Sequence, residues 1–196
     1  MFLENTINHS KQSGWMEVIC GSMFSGKTEE LIRRLRRAEM AGQNVEIFKP
    51  KTDTRYSDED VVSHNKNKIR STAVETTDEI ILLGSNCDVI GIDEAQFFDE
   101  SIVEVANQLA NNGVRVVIAG LDMDFLGRPF GPMPNLMATA EYVTKVHAIC
   151  KRTGNLANYS MRISEGNNLV ELGETDIYEA VSRRVFIEEV LSKVNK

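Results

Sequence analysis

A chain of 196 residues, 42% hydrophobic and 26% charged, is long enough to bury a substantial core, and its length favours one principal domain with room for a small appendage. Its net charge of −7 argues against general affinity for nucleic acid, and no apolar run approaches the roughly 20 residues of a membrane-spanning helix, so neither nucleic acid nor membrane is an expected partner. Three widely spaced cysteines, Cys20, Cys87 and Cys150, suit a reducing compartment better than a disulfide framework, and the opening residues lack the apolar core and cleavage site of a signal peptide, so the expected location is cytoplasmic.

Residues 1–14 are polar and read as a flexible tail. Met16–Cys20 reads as a short strand and Thr28–Ala41 as a helix with Leu31, Ile32, Leu35 and Ala38 on its buried stripe. Between them stands the octet Gly21-Ser22-Met23-Phe24-Ser25-Gly26-Lys27-Thr28, which satisfies the G-x-x-x-x-G-K-[ST] pattern in the strand–loop–helix context that pattern requires. Its glycines let the loop turn back so that successive N–H groups face the phosphates, and the helix N-terminus adds its positive dipole end. Lys27 then reaches the outer phosphate oxygens, and Thr28 offers a hydroxyl to Mg²⁺. Arg33, Arg34, Arg36 and Arg37 on this helix read as a solvated face rather than a nucleic-acid surface.

Gly42 ends the helix and Val45–Phe48 begins a second strand. The polar stretch Lys51–Lys68 reads as a mobile loop, a candidate lid over the triphosphate. Asp78–Leu83 reads as a short helix, and Val89–Ile92 and Val114–Ala119 as buried strands joined by a crossover helix carrying Ile102, Val105, Ala106, Leu109 and Ala110. Tyr142–Ile149 reads as a last strand, and short Gly- and Asn-containing pieces then lead to a terminal helix over Tyr178–Val194. This alternation predicts an α/β fold of P-loop NTPase type, a mostly parallel sheet with helices on both faces over residues 15–149, followed by a small domain at 150–196.

Ligands of such sheets bind beyond the carboxyl ends of the strands, where Asp93 and Glu94 emerge. Side chains of adjacent strand-end residues point to different sides, so Asp93 is assigned to Mg²⁺ through water and Glu94 to a reacting hydroxyl as base. An acid pair after an apolar strand equally suits an ATPase coupled to a nucleic-acid or protein partner, with Glu94 activating water, so these residues alone specify nucleotide chemistry and leave the acceptor open. A non-catalytic nucleotide sensor is disfavoured because Lys27, Thr28, Asp93 and Glu94 are all present.

Three further stretches narrow the acceptor: Asp93-Glu94-Ala95-Gln96-Phe97-Phe98, Gly120-Leu121-Asp122-Met123-Asp124-Phe125 and Arg128-Pro129-Phe130-Gly131. With the octet and Asp53-Thr54-Arg55-Tyr56-Ser57, in order from about Trp15 to Phe186, they resemble the type II thymidine kinases, the cytosolic and bacterial kind. The resemblance implies transfer of the γ-phosphate of ATP to the 5′-hydroxyl of thymidine, in nucleoside salvage for DNA synthesis, with Glu94 as proton acceptor. It implies that Gly21 to Thr28, Asp53, Thr54, Arg55, Asp93, Glu94, Ala95 and Gln96 bind ATP. Phe125, Tyr178 and the backbone of Leu169, Val170, Glu171, Leu172 and Gly173 fall at thymidine-binding positions, and Met23, Phe97 and Leu121 would wall the ring. It also implies a homotetramer and feedback by thymidine triphosphate.

The family usually carries a structural zinc on two cysteine pairs. Here Cys150 keeps one position, while Thr153, Ser182 and Val185 stand at the other three. One thiolate cannot make a closed tetrahedral site, so no structural zinc is expected, with His147 plus Cys150 as the weaker alternative. His147 itself reads as structural rather than catalytic.

Overall fold

The computed structural model describes residues 14–51, 60–62, 68–163 and 177–194. Apart from Gly14, whose N–H donates to the Ala110 carbonyl at 2.9 Å, the expected tail lies outside the described residues, as do Asp53 to Ser57 and Leu169 to Gly173. In chain order the elements are β1 (Trp15–Cys20), α1 (Lys27–Met40), β2 (Val45–Pro50), β3 (Asp60–Val62), β4 (Lys68–Arg70), β5 (Thr72–Val74), α2 (Thr77–Gly84) and β6 (Val89–Ile92). There follow α3 (Ser101–Asn111), β7 (Arg115–Gly120), α4 (Met133–Thr139), β8 (Tyr142–Lys145), β9 (Ala148–Ile149), β10 (Leu156–Ala157), β11 (Tyr159–Arg162), β12 (Tyr178–Val181) and α5 (Arg183–Val194).

Six strands form one sheet in the order β5-β2-β6-β7-β1-β8, and every pairing in it is parallel. Alternation along the strands supplies both faces. Met16, Val18 and Cys20 of β1, Ile90 and Ile92 of β6, and Val116 and Ile118 of β7 pack with Ile80 of α2, the apolar face of α3 and Met133 and Leu136 of α4. The intervening residues Ile19, Val89, Val117 and Ala119 face Leu31, Ile32, Leu35 and Ala38 of α1. A Cβ at Gly91 would stand 2.5 Å from Cδ1 of Leu35, so the absence of a side chain there sets how closely α1 approaches the sheet.

A third cluster joins Ala148, Cys150, Ala157, Tyr159, Met161, Ala180, Val181 and Val185, with Phe24 and Phe186 against it. The rings of Tyr159 and Phe186 stack with centroids 4.3 Å apart. This cluster rests on the antiparallel pairs β9–β10 and β11–β12.

Four expectations are corrected. The stretch Lys51–Lys68 is not wholly a loop: Asp60–Val62 pairs antiparallel with Lys68–Arg70, as the β-branched run Val61-Val62 allows. The strand expected over Tyr142–Ile149 breaks after Lys145, because β1, its parallel partner, ends at Cys20; Val146 N–H donates to the Cys20 carbonyl at 2.8 Å and the chain departs. Tyr178 does not open a helix. It starts β12, whose alternation with β11 overrides helical propensity, and the helix begins only after Ser182, a preferred N-terminal residue whose carbonyl accepts from Phe186 N–H at 3.0 Å.

The fourth concerns Arg34, which is not solvated. It is 4% exposed and reaches Glu17 of β1 at 2.7 Å, Glu30 at 2.8 Å and Thr144 Oγ1 at 3.0 Å. Glu17 also accepts from Arg115 Nε at 2.6 Å and Trp15 Nε1 at 2.8 Å. Burial pushes its carboxyl up, but hydrogen bonds and charge from Arg115, with bonds from Trp15 and Arg34, outweigh that and hold it below the ordinary carboxylate value. A carboxylate with a depressed value in the folded state stabilises the fold above its unfolded value, and that contribution is lost as pH falls. Stability is therefore expected to decline as pH drops below 4.5, the ordinary value. Glu17→Ala should cost about 3 kcal/mol in urea unfolding at pH 7 and flatten this acid limb; an unchanged midpoint and an unchanged acid limb would show the cluster to be energetically idle.

Candidate active site

The phosphate loop leaves β1 through three residues with positive φ: Gly21 at 147°, Phe24 at 62° and Gly26 at 85°. A Cβ at Gly21 would come within 2.1 Å of the Val146 carbonyl oxygen, so this turn admits only glycine. Ser25 Oγ and Lys27 Nζ both donate to the Ser22 carbonyl, at 2.7 and 2.8 Å, which folds the loop over the start of α1 and holds the ammonium at its mouth. The loop's outer side is tied to the third cluster. Ser22 Oγ donates to the Ala157 carbonyl at 3.2 Å, Met23 N–H donates to Ser160 Oγ at 2.9 Å, and Phe24 packs against the cluster.

Thr28 Oγ1 donates to Asp93 Oδ2 at 3.3 Å, joining the first turn of α1 to the end of β6. This hydroxyl–carboxylate pair at the foot of the phosphate loop is an oxygen donor set of the kind Mg²⁺ prefers, so these residues fit the ion. Asp93 is 6% exposed and its second oxygen accepts from Glu94 N–H at 3.0 Å. Strand alternation is not what separates the two carboxylates. β6 ends at Ile92, and Glu94 adopts left-handed backbone with φ 51° and ψ 40°, which turns its side chain away from that of Asp93. Such backbone costs a non-glycine residue on the order of 1 kcal/mol and is frequent at functional sites.

Gln96, at 2% exposure, is buried under this turn. Its Nε2 donates to Glu94 Oε2 at 2.5 Å and its Oε1 accepts from Leu121 N–H at 2.9 Å. The side chain therefore spans from the acid after β6 to the first residue after β7. Ala95 is also fully buried, so neither side chain lies open at the surface of the phosphate site. Phe97 meets Phe130 edge-on with centroids 5.8 Å apart and lines a cleft of about 400 Å³ with Pro50, Lys51, Val74 and Asp99.

After Leu121 the chain forms a tight loop organised by Asp124, which is 8% exposed and accepts from the N–H groups of Leu126 and Arg128 at 2.8 and 2.9 Å. That loop carries Phe125 to the guanidinium of Arg162, 4.0 Å from the ring centroid, and Arg162 Nη2 donates to Tyr178 Oη at 2.9 Å. Phe125 and Tyr178 are thus brought together around one cation. Asp122 is buried and pairs with Lys145 Nζ at 2.5 Å.

Ser160 and Arg162 were missed by sequence reasoning. They sit at alternate positions of β11, a strand whose four residues are all buried, and its polar members were the available signal. His147 is exposed. Cys150 is fully buried. Burial pushes its thiol up, while hydrogen bonds from the Thr153 hydroxyl, the Ser182 and Arg152 backbone N–H groups and the Ser182 hydroxyl bring it down to about 7. Thr153 Oγ1 stands 3.5 Å from Ser182 Oγ, so the polar residues at these positions share one small cluster.

Comparison with known proteins gives this arrangement a family. Residues 14–186 match the family model described as thymidine kinase. The thymidine kinase of Porphyromonas gingivalis strain W83 is 61% identical over 184 residues, covering 94% of this chain and 90% of that protein. Those of Bacteroides thetaiotaomicron and a Rhodothermus species are 57% and 58% identical, over 95% and 92% of this chain and 94% and 84% of theirs. The chain belongs to the thymidine kinase family.

Proposed function

We propose that the chain transfers the γ-phosphoryl group of ATP to the 5′-hydroxyl of thymidine, producing thymidine monophosphate for DNA precursor synthesis. Family membership makes it an ATP-dependent thymidine kinase. The observation that carries the residue assignments is the Asp93–Glu94 pair, one carboxylate bonded to Thr28 at the phosphate loop and the other turned away from it and held by Gln96. The loop from Gly21 to Thr28 would cradle the phosphates, and Lys27 would neutralise charge developing on the transferred group. Thr28 would hold Mg²⁺ directly and Asp93 through water; when bound, the ion supplies charge neutralisation between the β- and γ-phosphates. Glu94 would accept the proton of the attacking hydroxyl, and Gln96 would act as its positioning residue rather than as an ATP ligand.

On the nucleoside side, Met23, Phe97, Leu121, Phe125 and Tyr178 would surround the base, with the backbone of Leu169 to Gly173 reading its edge. Asp53, Thr54 and Arg55 would approach the phosphates. Residues 150–196 would form the unit carrying the substrate loop, apart from the kinase domain at 15–149. A homotetramer, inhibition by thymidine triphosphate and a cytoplasmic location complete the reading; among the described residues no helix is long and apolar enough to cross a membrane.

A structural zinc does not fit. One thiol, two hydroxyls and the hydrocarbon of Val185 are not a tetrahedral donor set. Direct contacts would hold this corner instead: Arg152 bonds Glu179 of β12 at 2.6 Å and Glu189 of α5 at 2.7 Å, beside buried Val185.

Incubation with ATP, Mg²⁺ and thymidine should yield thymidine monophosphate and ADP in equal amounts. Hydrolysis indifferent to thymidine but stimulated by DNA, with no monophosphate formed, would replace the kinase reading with a coupled ATPase. Glu94→Gln should retain ATP binding while kcat falls by about 10² or more, the scale of general-base loss; turnover at the wild-type rate would remove Glu94 from that role. Gln96→Ala should lower kcat about tenfold, as loss of one positioning hydrogen bond implies, with both KM values within about twofold. A matching rise in the KM for ATP would return Gln96 to the nucleotide site. Metal analysis of purified protein should find zinc well below one equivalent per chain; one tightly held equivalent would contradict the direct-contact account.

A further inference from the structure

Arg162 closes β11 and is 6% exposed, an expensive place for a cation. It is the cross-strand partner of Tyr178 in the antiparallel β11–β12 pair. It makes two contacts of different character there. Nη2 donates to the Tyr178 hydroxyl at 2.9 Å, while the guanidinium carbon lies over the Phe125 ring, 4.0 Å from its centroid. The Tyr178 ring is also within reach, 5.5 Å away. Phe125 and Tyr178 lie 53 positions apart in the chain, on a loop fixed by Asp124 and on a strand fixed by its register, and Arg162 touches both.

We propose that Arg162 is a positioning residue that determines nucleoside affinity, by holding Phe125 and Tyr178 in one mutual arrangement. The inference rests on the reading that these two rings flank the thymidine base. Stability alone gives little reason for the cation, since an apolar side chain of similar volume would fill a buried position at lower desolvation cost. What an apolar residue cannot do is hydrogen-bond a tyrosine hydroxyl while placing a cation over the phenylalanine ring. Lysine shares the charge but not the plane.

The pair also has a place in the chain that matches this role. Arg162 and Tyr178 bracket the stretch that includes Leu169 to Gly173, and just inside them Ile163 N–H donates to the Ile177 carbonyl at 2.8 Å. The backbone ladder fixes the spacing of the two strands there, and the Arg162–Tyr178 bond fixes the orientation of an aromatic ring at its end. The consequence is expected chiefly on the nucleoside side, because Lys27 and Thr28 are held by their own bonds at the phosphate loop, to the Ser22 carbonyl and to Asp93.

Steady-state kinetics with thymidine and ATP on Arg162→Gln, Arg162→Lys, Tyr178→Phe, Phe125→Ala and the double variant Arg162→Gln/Tyr178→Phe test this. Arg162→Gln should raise the KM for thymidine about tenfold, the scale of losing a charged hydrogen bond, while the KM for ATP stays within about twofold. Arg162→Lys should give a smaller rise in the same direction, and it carries the test if the glutamine variant does not fold. In the Tyr178→Phe background the effect of Arg162→Gln should shrink to about threefold or less, because the shared bond is already gone. An unchanged thymidine KM in both Arg162 variants, with Tyr178→Phe and Phe125→Ala raising it, would overturn the role of Arg162 and leave the pocket reading standing. Strict additivity in the double variant would overturn it likewise. Unchanged thymidine KM in Tyr178→Phe and Phe125→Ala would sink the pocket reading and the inference together.

Discussion

The site depends on three neighbouring parallel strands whose carboxyl ends lie on one edge of the sheet. β7 lies between β6 and β1, with Cys20 opposite Gly120 and Ile92 opposite Ile118, so the phosphate loop, the acid pair and the Leu121 loop all leave the same edge of the sheet. Because side chains alternate with a period of two, slipping β1 by one residue would put Glu17 against the apolar layer of α3 and Val18 against Arg34. The buried carboxylate is thus a register device as well as an ion-pair partner. It sits at the opposite end of the strand from the phosphate loop, where a charged cluster does not compete with triphosphate for cations.

A shared strand edge brings the loops together, but the chemistry requires finer placement. Gly120 is a case where a missing side chain supplies it. A Cβ there would stand 2.5 Å from Met133 Sδ and 2.9 Å from Gln96 Oε1, so any larger residue would displace the amide that reaches Glu94. The left-handed backbone at Glu94 acts in the same direction. A turn of ordinary handedness would continue the direction set by Asp93, whereas the reversal sends one carboxylate to Thr28 and the other to Gln96. The local cost of about 1 kcal/mol is offset by a buried amide satisfied at both ends.

The phosphate loop, the α1 stripe and the alternation of buried strands were legible because each is a local pattern with a fixed period or spacing. Arg34 was not. Its neighbours Arg33 and Arg36 are exposed, and nothing in a run of four arginines distinguishes the one opposite a carboxylate 17 residues earlier on another element. The break after Lys145 was hidden for a related reason: no turn residue interrupts Tyr142 to Ile149, and what ends the pairing is the end of a partner strand more than 120 positions away. Tyr178 illustrates the same limit, since only pairing with β11 makes Tyr-Glu-Ala-Val a strand rather than the start of α5. Arg162 carried no motif at all. Its meaning lies in touching Phe125 and Tyr178, which the order of residues along the chain does not express.

The octet has a second face for the same kind of reason. Its inner groups, Ser25 and Lys27, close on the Ser22 carbonyl, while its outer groups, Ser22 Oγ and Met23 N–H, bond the Ala157 carbonyl and Ser160 Oγ. Phe24, forced to φ 62°, spends its strained backbone on packing against the cluster that contains Tyr159 and Met161. Strain of that kind persists only where surrounding structure over-determines it. Here the surroundings are β10 and β11, and β11 also carries Arg162. One strand therefore braces the loop on the triphosphate side through Ser160 and the two aromatic side chains through Arg162. Two positions along a single β-strand are about 6.6 Å apart and cannot shift independently. The distance between the phosphate loop and the Phe125–Tyr178 pair is thus referred to one short, fully buried segment of chain.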